Sequence, residues 1–105
     1  MFKNGMRPVH PGEVLREDYL KPLELSANAL AKALHVPASR INDIVLERRG
    51  VTADTALRLT RYFGGTAEDA QSWINMQATY DFKIAARKLG KKIEKEIAPR
   101  RLQAA

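Results

Sequence analysis

The sequence between Ser26 and Arg49 contains two short amphipathic segments that meet at a tight turn. Helical spacing gives each segment one apolar side. These apolar residues are Leu30, Ala31, Leu34, Ile41, Ile44 and Val45. His35 lies at the turn, and histidine enters the left-handed backbone region more often than most non-glycine residues. Pro37 then favours the start of a second helix. The segment is therefore predicted to form a helix-turn-helix motif whose two apolar sides share one core.

The outer face of the second motif helix carries short polar side chains, because its apolar residues turn toward the core. The predicted base-facing residues are Ala38, Ser39, Arg40, Asn42 and Asp43. In the major groove of DNA, Asn pairs with adenine, Ser pairs with several bases, and Arg40 either reads guanine or binds a phosphate. Arg48 and Arg49 follow the helix and are predicted to bind the sugar-phosphate backbone. Asp43 repels phosphate unless it accepts a hydrogen bond from a cytosine amino group. The alternative interpretation of residues 38–49 is an ordinary amphipathic surface helix.

Four stretches of sequence, in this order, resemble a known family. They are H-P-G-E-V-L-R-E-D-Y-L at residues 10–20, L-A-K-A-L-H-V-P-A-S-R-I at 30–41, T-A-L-R-L at 55–59 and W-I-N-M-Q-A-T-Y-D-F at 73–82. They are similar to the HigA-type antitoxins, or virulence-associated-protein-I-like proteins, of the phage-repressor-like (XRE) helix-turn-helix superfamily. The chain departs from the wider superfamily at Ala27, where many relatives carry a Gln that binds a DNA phosphate. That contact is not expected here.

The resemblance implies an antitoxin of a type II toxin-antitoxin pair. Such a protein binds operator DNA as a dimer, represses its own operon, and neutralises a HigB/RelE-like ribonuclease toxin by direct binding. A homodimer also suits the motif, because two recognition helices related by a twofold axis reach palindromic half-sites about 34 Å apart. Two alternatives remain open: a solitary phage-type repressor without a toxin, and a protein-interaction module that no longer reads DNA.

The chain as a whole is predicted to be all-α, a five-helix phage-repressor-like bundle with an extended C-terminal helix. The first helix begins near Pro11, and Pro22 limits its far end. Thr52 caps a fourth helix that ends at Gly64, and Thr66 opens a fifth helix with a capping box. The fourth helix carries the apolar residues Ala56, Leu57, Leu59 and Phe63. A stripe of Phe82, Ala86, Leu89, Ile93 and Ile97 extends the fifth helix toward Pro99.

The fifth helix bears Trp73, Gln77 and Tyr80 at helical spacing. A helix that extends beyond a small core needs something to cover it, either the equivalent helix of a second subunit or the body of another protein. The three residues are therefore predicted to be dimer contacts or, alternatively, ordinary core residues.

Charge is distributed unevenly along the chain. Residues 1–82 contain ten Lys or Arg and ten Asp or Glu, whereas residues 83–105 contain eight basic and two acidic residues, so the tail holds the whole net charge of +6. We divide the chain into a mobile N-terminal arm at 1–9, a helix-turn-helix DNA-binding domain at 10–82, and a basic C-terminal helix and tail at 83–105. The tail either attracts phosphate without sequence preference, binds an acidic partner surface, or is a solvated helix face.

Several functional classes are disfavoured by what the sequence lacks. The absence of Cys excludes disulfides and thiolate metal sites, and His10 and His35 have no further ligand at metal-binding spacing. We find no nucleophile with a nearby base and no phosphate-binding glycine loop, so neither an enzyme nor a cofactor is expected. A membrane span is not expected either, because no run of about 18 apolar residues occurs. The N-terminus lacks a signal-peptide core, so a cytoplasmic protein is expected.

Overall fold

The computed structural model of the protein describes residues 7–101, and these residues form five helices without a strand. The helices are α1 at 11–23 (Pro11–Val14, Leu15–Leu20 and Lys21–Leu23 in succession), α2 (Ala27–Leu34), α3 (Ala38–Val45), α4 (Ala53–Phe63) and α5 (Ala67–Glu96). The all-α fold with an extended last helix is as predicted. Residues 1–6 of the predicted arm and 102–105 of the predicted tail lie outside the described residues.

Helix α1 widens into a π-helical turn over Leu15–Leu20, where the Lys21 N–H donates to the carbonyl of Arg16. Pro22 follows this turn after Lys21, and α1 ends at Leu23. Proline has no N–H to donate, and its ring crowds the carbonyl four residues earlier. The wider turn accommodates both effects, so Pro22 lies inside the last turn and the helix ends one residue later.

The helix boundaries follow the predicted capping residues. The Thr52 hydroxyl accepts from the Thr55 N–H at 3.4 Å and begins α4. His35 adopts the left-handed conformation at φ 59°, and Gly64 ends α4 in the same region at φ 80°. The Asp69 carboxylate accepts from the Thr66 N–H at 2.7 Å, which completes the predicted capping box of α5. These local predictions are confirmed.

The core lies where α1, α2, α3, α4 and the first part of α5 meet. All six predicted apolar residues of the motif are buried, together with Leu15, Leu20, Val51, Ala56, Leu59, Ala70 and Trp73. Leu57, one of the apolar residues of α4, is 60% exposed. The buried face of α4 instead includes the side chains of Thr55 and Thr60. An apolar residue type alone therefore did not identify which face of α4 turns inward.

Helix α5 continues well beyond this core. Its buried residues are Ala70 and Trp73, near its start, whereas Leu89, Ile93 and Ile97 near its end are 45%, 46% and 63% exposed. The helix crosses the predicted boundary at residue 82 without interruption, so that boundary marks a change of charge rather than a break in secondary structure. Within residues 7–101, no helix is both long and apolar enough to cross a bilayer.

Candidate nucleic-acid interface

Helix α3 is held against the core by two kinds of contact. Ile41 and Ile44 are completely buried on its inner face. At its C-terminal end, the Arg16 guanidinium of α1 donates to the carbonyl of Val45 and forms an ion pair with Glu47 at 3.5 Å. Together the apolar face and the ion pair fix the orientation of α3 relative to the bundle. The sequence pattern did not indicate Arg16, because its partners lie about thirty positions away.

The start of α1 approaches the same helix closely. Gly12 is buried, and a Cβ atom at this position would lie 1.8 Å from the carbonyl oxygen of Ile44. Its N–H donates to Nδ1 of His10 at 2.8 Å, so His10 caps α1. Burial lowers the pKa of His10, which favours the neutral ring that this hydrogen bond requires. Gly12 is thus a point of close backbone contact between α1 and α3.

The exposed face of α3 contains the predicted base-facing residues. Ala38 and Ser39 are exposed at its N-terminal end, which is the end that a recognition helix directs into the major groove. Asn42 is partly buried, and its amide donates to Oδ1 of Asn28 at 2.8 Å and to the Ala38 carbonyl at 2.9 Å. Asn28 belongs to α2, so this amide pair links the two helices of the motif.

Arg40 projects toward the start of α4. Its Nη1 lies 2.7 Å from a carboxylate oxygen of Asp54, and the same oxygen accepts from Nε of Arg58 at 3.0 Å. Arg58 also donates to the carbonyl of Leu34 at 2.7 Å, at the end of α2. The sequence contained a partial signal, because Asp54 and Arg58 are four positions apart on one helix, a spacing at which opposite charges meet. The contact with Arg40 required the tertiary fold.

Asp43 and the predicted phosphate-binding arginines form a second ion-pair cluster. One carboxylate oxygen of Asp43 lies 3.2 Å from Arg48, and the other lies 3.8 Å from Arg49. The three residues were predicted to lie on the DNA-binding surface for different reasons, and the structure brings them together. Because Asp43 partly neutralises both arginines, its acidic charge does not stand alone on this surface.

Trp73, Gln77 and Tyr80 contact their own chain. Trp73 is 5% exposed, and its ring lies 5.5 Å from that of Tyr19. Of its two predicted roles, the structure therefore shows core packing. Gln77 accepts from the Val51 N–H at 2.8 Å and so fixes the loop after α3. The Tyr80 ring packs edge-on against His10. Gln77 and Tyr80 are only partly buried, and for them a dimer contact stays a prediction.

Comparison with known proteins first identifies the class of protein to which the chain belongs. The family described as Helix-turn-helix matches residues 17–69, which include α2, α3 and α4. The chain is therefore a helix-turn-helix protein. Its described residues place no group of three or more His, Cys, Asp or Glu side chains where they would hold a metal ion.

Individual relatives then define the family. Virulence-associated protein I of Dichelobacter nodosus is 71% identical over 83 residues, which cover 79% of this chain and 74% of that protein. Antitoxin HigA-1 of Vibrio cholerae is 34% identical over 82 residues, or 77% of this chain and 73% of that one. The structure of Pseudomonas aeruginosa antitoxin HigA with the higBA promoter superposes with a TM-score of 0.81 at 49% identity, covering 89% and 98% of the two chains. The chain belongs to the HigA-type antitoxins, a family of helix-turn-helix regulators rather than enzymes.

Proposed function

We propose that this protein is an antitoxin that binds palindromic operator DNA as a dimer, represses its own operon, and neutralises a HigB/RelE-like ribonuclease toxin by direct binding. The observation that carries the DNA-binding half is α3 itself, which exposes Ala38 and Ser39 at its N-terminal end and is flanked by arginines. The structural relative from P. aeruginosa, which contains promoter DNA, supports the same interpretation.

Within this proposal the residues have separate roles. Ser39 and Asn42 read base edges in the major groove, Ala38 contacts a thymine methyl, and Arg40 reads guanine or binds a phosphate. Arg48 and Arg49 bind the sugar-phosphate backbone and set the position of α3 without reading sequence. The amide pair between Asn42 and Asn28 holds the Asn42 side chain in place before DNA arrives.

The dimer and the toxin are supported by different observations. The exposed apolar residues Leu89 and Ile93 of α5, with Ile97 just after it, favour a second subunit that covers them. The toxin is inferred from the antitoxin relatives, one of which is named Antitoxin HigA-1. Both proposed partners, an operator and a ribonuclease, belong to the cytoplasm, where the sequence predicts this protein to work.

The DNA-binding proposal is tested on a duplex from the region upstream of the protein's own reading frame. Arg40→Ala or Asn42→Ala is expected to weaken specific binding by about 1 to 3 kcal/mol, or roughly 5- to 150-fold, and to leave the fold intact. Arg61→Ala is the matched control, because Arg61 is an exposed arginine of α4 outside the predicted interface. Unchanged affinity of both interface variants would contradict the assignment.

The antitoxin half is tested by co-expression with the product of the adjacent reading frame. If the proposal is correct, the neighbour arrests growth when it is expressed alone, this protein restores growth, and the two proteins purify as one complex. A harmless neighbour, or the absence of a complex, would favour a solitary repressor. A failure to bind any DNA alongside a stable complex would favour a protein-interaction module.

A further inference from the structure

A cleft of about 310 Å³ lies between the turn of the motif, α3 and the start of α4. Three arginines line it, Arg40, Arg49 and Arg58, and Asp54 lies among them. Arg40 and Arg58 both donate to one oxygen of the Asp54 carboxylate. This arrangement places a fixed acceptor for Arg40 beside the proposed DNA surface.

We propose that Asp54 is a specificity-determining residue: it holds Arg40 away from the phosphates of unrelated DNA and so keeps non-specific binding weak. The inference rests on the proposed DNA-binding function and adds to it a residue outside the recognition helix. Asp54 acts by positioning Arg40 through their hydrogen bond and does not itself contact the DNA.

The two ends of this contact differ in how firmly they are held. Arg58 is anchored by its bond to the Leu34 carbonyl, and it holds the Asp54 carboxylate at 3.0 Å. Asp54 also lies in the first turn of α4, where the positive end of the helix dipole favours a negative charge. The hydrogen bond from Arg58, with a smaller contribution from Arg40, lowers the pKa of Asp54. Asp54 is therefore an anchored anion at neutral pH, and Arg40 is the partner able to leave.

The consequence differs between operator and unrelated DNA. Phosphate contacts supply most of the affinity for unrelated DNA, and an arginine that binds phosphate strengthens binding to every sequence alike. To bind a phosphate fully, Arg40 must exchange the Asp54 carboxylate for it, which reduces the gain from that contact. On an operator, base contacts hold α3 in the groove, and Arg40 donates to the DNA through its remaining N–H groups while Nη1 keeps its bond to Asp54. Release of Arg40 therefore adds less to operator affinity than to non-specific affinity. Asp54 therefore raises the ratio of specific to non-specific affinity.

The test compares Asp54→Asn with the wild-type protein on operator and unrelated duplexes over a range of salt concentrations. We expect Asp54→Asn to bind unrelated DNA about 5- to 20-fold more tightly, with a salt slope steeper by about one, because one more phosphate is neutralised. Operator affinity is expected to rise less, so the specificity ratio falls. Asp18→Asn is the matched control, since Asp18 is exposed on α1 and does not line the cleft; it should change non-specific affinity by less than about twofold.

Two further variants separate positioning from a simple loss of negative charge. In an Arg40→Ala background, Asp54→Asn should lose most of its effect on non-specific binding, because the residue that it releases is gone. Asp54→Glu retains the charge at the start of α4 and should bind unrelated DNA within about twofold of wild type. Circular dichroism and thermal unfolding establish that each variant is folded.

The possible failures are distinguishable. If wild type does not prefer its operator to an unrelated duplex, the proposed function and this inference both fall. If wild type is specific but Asp54→Asn matches Asp18→Asn in affinity and salt slope, only the role of Asp54 is refuted. If Asp54→Asn raises the affinity for unrelated DNA equally in the wild-type and Arg40→Ala backgrounds, Asp54 acts as a general negative charge. That result also overturns the positioning role.

Discussion

Replacing Gly12 with alanine should destabilise the bundle at the contact between α1 and α3. The added Cβ would lie 1.8 Å from the Ile44 carbonyl oxygen, whereas Cβ atoms essentially never approach other atoms within 3.0 Å. The two helices must therefore separate by at least about 1.2 Å, and the obstacle is backbone rather than a flexible side chain. Because Ile44 is fully buried, the separation opens the core. Overpacking of this kind costs about 2 to 3 kcal/mol, which lowers the melting temperature by roughly 10 to 20 °C in a domain of this size.

The assay is thermal and urea unfolding of Gly12→Ala beside Gly90→Ala. Gly90 lies within α5, and a Cβ there meets nothing within 4 Å. The same substitution should therefore be neutral or stabilise α5 by up to about 1 kcal/mol, since Ala is a better helix former than Gly. A Gly12→Ala protein as stable as wild type, or equal losses at both positions, would refute the reasoning from the close approach.

Three further predictions concern other contacts. Gln77→Ala should lower the free energy of unfolding by about 1 to 3 kcal/mol, because the Val51 N–H loses its acceptor; Gln71→Ala, an exposed change on the same helix, should cost far less, and equal losses would contradict this. Stability should fall as pH drops below about 6.5, since burial lowers the pKa of His10 and its neutral form caps α1; His10→Asn should weaken this dependence in unfolding measured from pH 8 to pH 5, and an unchanged slope would exclude His10 as its source. Removal of residues 87–105 should flatten the salt dependence of DNA binding without changing sequence preference, and an unchanged slope would leave the tail for dimer or toxin contacts.

The parts of the fold that the sequence predicted are those determined by local spacing. Leu30 and Ile41 belong to helical stripes that are visible without knowledge of the tertiary structure, and both are completely buried. The left-handed turn at His35 and the cap at Thr66 depend on the residue and its near neighbours. Leu57 is also apolar and yet is exposed, because the buried face of α4 is set by what packs against it rather than by apolar character alone.

The parts of the site that the sequence did not predict are contacts between residues far apart in the chain. Asp54 meets Arg40 only because the loop after α3 brings the start of α4 close to α3. Gln77 was considered as a dimer or core residue, yet it accepts a hydrogen bond from the backbone of Val51 in that same loop. In both contacts the two partners lie far apart in the sequence, so neither helical periodicity nor motif matching can predict them.

The charge pattern indicates how the helix-turn-helix motif and the basic tail at 83–105 differ in their electrostatic contribution to DNA binding. The arginines of the motif have carboxylates beside them, Asp54 for Arg40 and Asp43 for Arg48 and Arg49. Exchanging a carboxylate for a phosphate leaves the charge on each arginine balanced as before, so the electrostatic gain from these contacts is small. Residues 83–105 hold eight basic and two acidic side chains, and so have far fewer carboxylates to exchange. If the tail attracts phosphate, salt dependence therefore arises mainly from the tail, and sequence preference arises from the short polar side chains of α3.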